Sequence, residues 1–159
     1  MQKQENWKFT YKGIHCSIVH WGVEEMSSVH SGGIWNSYII IQKPQLPTQF
    51  KKLLCRAKVS SLPSKRKFWN YSKLDSYFDM HGGFTYYEPL RDEFTGDVIA
   101  VKVGCDYAHA FDDNYDYNEN MVKKDLEESV DGFIKCFPDY LVWRVSDGKY
   151  VKPGIEESL

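Results

Sequence analysis

The sequence predicts an α+β domain in which an antiparallel β-sheet carries one main amphipathic helix on a face. Two patterns predict it. Short runs of alternating or β-branched residues recur between Gly, Asp and Pro turn signals, and one stretch from Met121 places apolar residues at steps of three and four. The composition agrees. Aromatics make up 16% of the 159 residues, with eleven Tyr, nine Phe and five Trp, and flat rings suit a pleated surface. A chain of this length builds one core, so residues 1–159 are read as a single domain.

The elements follow in order. "NWKFTYKGIHCSIVHWG" reads as two strands around a turn at Lys12 and Gly13, because Trp7, Phe9 and Tyr11 alternate and Ile14, Cys16 and Ile18 do the same. "SYIIIQ" is continuous enough for a buried central strand ended by Pro44 and Pro47. "HGGFTYYEP" and "VIAVKVG", separated by the turn "DEFTGD", are expected to be adjacent antiparallel strands. Val122, Leu126, Val130, Phe133, Ile134 and Phe137 define the helix, capped by Asn118 or Asn120 and stopped by Pro138. "YLVWRVSDGKYVK" closes the series as a hairpin turning at "SDG", with Tyr140, Val142, Val145 and Tyr150 as strand residues. The expected sheet thus uses residues 7–21, 37–42, 82–87, 97–105 and 140–151, and the helix runs over 120–136. Residues 51–73, dense in Lys and Arg, are expected to be a basic surface insertion that starts with a short helix over "QFKKLLCR", and 153–159 a loose tail.

Twenty basic and twenty-two acidic groups give a net charge of -2, so no whole-molecule field draws the chain onto nucleic acid. Cys16, Cys55, Cys105 and Cys136 form no CxxC pair and read as buried free thiols. The first residues lack the apolar core of a signal peptide, and no apolar run approaches the roughly 20 residues of a membrane span. A reducing cytoplasm is the expected location.

The chemistry concentrates where strands end. "GCDYAHAFDD" gathers Asp106, His109, Asp112 and Asp113 directly after a strand, and antiparallel pairing brings that end near His81, Thr85 and Tyr86 of the neighbouring segment. Gly82 and Gly83 leave room beside His81. His15 and His20, five residues apart in one strand, fall on opposite faces, so at most one can reach a shared site. His30, in "SVHSGGIW", reads as part of a flexible loop.

"HGGFTY" (81–86) and "GCDYAHAFD" (104–112) together resemble a family of small, mostly uncharacterised bacteriophage and prophage proteins with HGGxTY and GxDxAHxxD segments. The resemblance extends to "WKFTYKGIHCSIV" and the C-terminal helix and spans most of residues 7–137. It falls on His81, Gly82, Gly83, Thr85, Tyr86, Gly104, Asp106, Ala108, His109 and Asp112. The chain departs from the pattern at Cys105, which precedes Asp106 while Tyr107 follows it, speaking against a catalytic thiol, and at Phe111, where a small residue is usual. The resemblance implies a phage origin and supplies no activity of its own.

Three functions fit these residues. In the first, His81, Gly82, Gly83, Thr85, Tyr86, Asp106, His109 and Asp112 hold a small nucleotide-derived ligand, sequestered to counter host defence signalling, with no cofactor. Carboxylates accept from ribose hydroxyls or base amines, His donates to phosphate, and an aromatic face stacks on a base. In the second, His81, Asp106, His109 and Asp112 ligate Zn²⁺ or Mn²⁺ in a hydrolase acting on a nucleotide or phosphoester. In the third, the polar cluster is structural and the chain inhibits a host protein. A homo-oligomer is compatible with all three.

Overall fold

A computed structural model describes residues 4–22, 33–46, 86–107 and 117–153. Alternation and turn chemistry set the first hairpin. β1 (Gln4–Tyr11) and β2 (Ile14–Trp21) pair antiparallel from Tyr11↔Ile14 to Gln4↔Trp21. Lys12 at φ 49° and Gly13 at φ 81° make the two-residue turn, both with positive φ as the right-handed twist of the strands requires. Gly13 is irreplaceable for a second reason: a Cβ there would lie 2.4 Å from Val142 Cγ1.

β3 (Ile34–Gln42) is the central strand, and a single 3₁₀ turn at Lys43–Gln45 ends it at Pro44. β4 (Tyr86–Arg91) and β5 (Val98–Asp106) pair antiparallel as expected. The sheet order is β1-β2-β3-β5-β4, every neighbouring pair antiparallel. Strand ends differ from the sequence reading: β1 starts at residue 4 and β3 at 34, and β4 continues through Pro89 to Arg91. Pro89 is tolerated because β4 is the outermost strand among the described residues, and at a sheet edge a missing N–H that points outward costs no ladder bond. Residues 82–85 lie outside the described residues, as does the basic segment 51–73 with its expected short helix, and so does 154–159.

α1 (Glu119–Cys136) lies on one face of the sheet. The Asn118 side chain accepts from the Met121 N–H, and the helix ends one residue before Phe137, next to Pro138. Its apolar stripe of Val122, Leu126, Val130 and Phe133 is buried against Ile14, Cys16, Ile18, Ile39, Val101 and Val103 of the sheet. Two polar ties fix its seat. The Tyr107 hydroxyl, fully buried, donates to Asp125 at 2.7 Å, and Lys12 Nζ and the Tyr11 hydroxyl both donate to Asp131.

The C-terminal hairpin does not join the main sheet. β6 (Val142–Arg144) and β7 (Lys149–Val151), three residues each, form a separate two-stranded sheet. Tyr140 is not in a strand, and Val145 sits in the turn at 86% exposure. The reason is the docking that precedes the hairpin. The Gln45 amide donates to the carbonyls of Gly13 and Leu141, and the Tyr140 hydroxyl donates to the Lys12 carbonyl at 2.9 Å. These bonds seat the segment on the β1–β2 turn, at the end of the sheet rather than along an edge. Among the described residues cysteine burial also differs from expectation at one position: Cys16 and Cys105 are buried free thiols, whereas Cys136 is exposed, and Cys55 lies outside the described residues. Among the described residues no helix is long and apolar enough to cross a membrane.

Candidate functional site

The two faces of the sheet are chemically distinct because residues alternate. On the face under α1, β2 presents Ile14, Cys16, Ile18 and His20. His20 is stacked on Trp35, ring centroids 3.9 Å apart, and its Nδ1 lies 3.4 Å from Glu5. It is a packed core histidine. His15 points the other way, is exposed and meets Thr10, so the expectation of opposite faces holds. His30 lies outside the described residues.

The opposite face carries the polar constellation. The register sets Tyr38, Gly104 and Tyr86 in one row across β3, β5 and β4; Ile40, Lys102 and Glu88 form the next row, and Asn36 faces Asp106 on the other side. Tyr86 and Asp106, both expected in the site, therefore share a face as diagonal neighbours. His81, Gly82, Gly83, Thr85, His109 and Asp112 lie outside the described residues.

Gly104 shapes this row. A Cβ there would come within 2.5 Å of both the Ser37 carbonyl oxygen and Tyr38 Cδ1, so the Tyr38 ring lies over the bare glycine backbone. The space admits a second ring: Tyr38 and Tyr86 meet edge to face with centroids 5.2 Å apart. Lys102 Nζ stands 4.3 Å from the Tyr38 centroid and 5.7 Å from that of Tyr86. The Tyr86 hydroxyl donates a short hydrogen bond to Glu88.

This face is partly shielded from water. Ser17, Val19 and Ala100 are buried on it, and Tyr38, Tyr86, Lys102 and Asp106 are half-buried. Burial pushes the Tyr38 phenol above its ordinary value, and the Asp106 carboxylate adds to the shift. Tyr86 is raised further, by burial and by its bond to Glu88. Both phenols are therefore neutral hydrogen-bonding groups over the physiological range. The arrangement offers two aromatic rings, one cation and two carboxylates on a rigid sheet. Rings of this kind stack on a planar base, Lys102 meets a phosphate, and Glu88 and Asp106 accept from hydroxyls or amines.

Three of these side chains escaped the sequence reading: Tyr38, Lys102 and Glu88. The signal was present in part. Lys102 is the only charge inside "VIAVKVG" and has the same parity as Asp106, which places both on one face. Among the described residues no three His, Cys, Asp or Glu side chains converge as a metal site requires, and of the ligand set His81, Asp106, His109 and Asp112 only Asp106 is described. No protein-family model, curated protein or solved structure matches the chain.

Proposed function

We propose that the protein is a binding module that holds a small nucleotide-derived molecule on the sheet face opposite α1. The carrying observation is the Tyr38–Tyr86 pair with Lys102 above it and Glu88 and Asp106 beside it. A base stacks against the tyrosine pair, Lys102 meets the phosphate, and Asp106 accepts from a ribose hydroxyl or a base amine. His81, His109 and Asp112 extend this contact in the proposal, with Gly82, Gly83 and Thr85 beside them. The resemblance to phage proteins at residues 81–86 and 104–112 supports a biological role: the ligand is a signal of host defence, removed from the host cytoplasm by sequestration. The proposed binding needs no metal.

The test is a thermal-shift screen of linear and cyclic mono- and dinucleotides, with and without chelator, followed by calorimetry on any hit. A ligand at a hundredfold excess over its dissociation constant stabilises the fold by about 2.7 kcal/mol. Stacking contributes about 1 to 3 kcal/mol per base, so Tyr38→Ala should weaken binding roughly 5- to 150-fold. Asp106→Asn should weaken binding too while the melting temperature falls little. Binding that survives Tyr38→Ala, Lys102→Ala and Asp106→Asn unchanged would remove the sheet face from the proposal. Binding abolished by chelator would replace it with a metal-dependent reading.

A further inference from the structure

Among the described residues the sheet has two edges, β1 and β4, and they are built differently. β4 carries Pro89, and its register against β5 slips between Leu90 and Arg91. Proline and irregular pairing are the usual devices that keep an edge from pairing with another chain. β1 has neither. It runs for eight residues in unbroken register with β2, and among the described residues no segment pairs with its other side.

The ladder determines which groups that edge presents. A two-residue turn is closed by a hydrogen-bonded pair, here Tyr11↔Ile14, and bonded pairs then alternate along the hairpin through Phe9↔Cys16 and Trp7↔Ile18. The N–H and C=O groups of Asn6, Lys8 and Thr10 consequently point away from β2, and their side chains are exposed.

We propose that β1 pairs antiparallel with β1 of a second copy of this chain, joining two five-stranded sheets into one of ten. A two-fold axis perpendicular to the sheet keeps like faces together, so facing residues must share parity. Two central registers satisfy this. One sets Lys8 directly opposite Lys8 of the copy and is opposed by like charge. The other centres on Trp7, sets Asn6 opposite Lys8, Glu5 opposite Phe9 and Gln4 opposite Thr10, and puts no like charges face to face. Lys8 selects the second register. The outward N–H and C=O groups of Asn6 and Lys8 then bond each other in a narrow pair, and the two Trp7 rings meet on the α1 side.

The experiment is analytical ultracentrifugation of the full chain over a concentration series. The expected result is a reversible species of twice the 18.6 kDa chain mass. Lys8→Pro removes an outward N–H and leaves the β1–β2 ladder intact, so it should give monomer; Asn6→Lys, which sets a second cation against Lys8, should do the same without touching the backbone. With Cys55 and Cys136 replaced by Ser and Lys8 kept in place, a mixture of Gln4→Cys and Thr10→Cys chains should form a mixed disulfide, and a mixture of Asn6→Cys and Thr10→Cys chains, which face each other only in the Lys8-centred register, should not. A single-chain mass at every concentration overturns the proposal. A dimer that persists in Asn6→Lys, or a disulfide between Asn6→Cys and Thr10→Cys chains, overturns the edge or the register.

Discussion

Gly104→Ala tests the link between the sheet and the tyrosine row in one atom. The added Cβ would lie 2.5 Å from the Ser37 carbonyl oxygen, 2.5 Å from Tyr38 Cδ1 and 3.0 Å from Tyr38 Cε1. The ring can turn away, but the carbonyl belongs to β3 beside β5 and can move only with the ladder. Overpacking of this kind costs about 1 to 3 kcal/mol, and a backbone clash puts the expected loss at the upper end, about 3 kcal/mol. For a chain of this size that lowers the melting temperature by roughly 6 to 12 °C. Chemical denaturation and thermal melts read it directly. Tyr38→Ala in the same background should recover only part of the loss, because the Ser37 clash remains, and the resulting coupling energy isolates the share due to the ring. Gly96→Ala is the control: its φ is +75° with no atom within 4 Å of the new Cβ, so it should cost about 1 kcal/mol from conformation alone. A Gly104→Ala loss no larger than that of Gly96→Ala would refute the view that Tyr38 depends on a bare backbone at 104.

Phe133→Ala removes one of the largest fully buried side chains from the α1 stripe, so it should cost about 3 to 5 kcal/mol by denaturant titration; a loss under about 1 kcal/mol would mean α1 does not pack as described. Alkaline pH should unfold the protein through its buried phenols. Tyr107 is raised above its ordinary 10.0 by burial, then by its bond to Asp125, and Tyr38 and Tyr86 are also raised. With folded values above the unfolded one, the stabilisation is complete below pH 10 and is lost as pH climbs from there towards the folded values. Tyr107→Phe should flatten that decline in stability above pH 10, and an unchanged slope would contradict the assignment.

The core was legible in the sequence because its signals are local. Val122, Leu126, Val130 and Phe133 recur at helical spacing, and Trp7, Phe9 and Tyr11 alternate against Ile14, Cys16 and Ile18 whatever else the chain does. Asn118 as a cap and Lys12–Gly13 as a turn are likewise decided within a few residues. The final hairpin was legible as a hairpin but not in its place, since nothing within "YLVWRVSDGKYVK" reveals that Gln45 and Tyr140 bind it to the first turn.

The candidate site divides in the same way. Asp106 and Tyr86 stood out by residue type and position near strand ends, whereas Tyr38, Lys102 and Glu88 looked like ordinary strand residues in three separate segments. Strand order and register alone bring them into adjacent rows, through pairings between residues up to 70 positions apart such as Asn36 and Asp106. A single-residue slip of β5 against β3 would send Lys102 and Asp106 to the α1 side. Periodicity states which residues share a face of one strand, and only long-range pairing, driven by burial of the apolar face against α1, decides which strands that face will join.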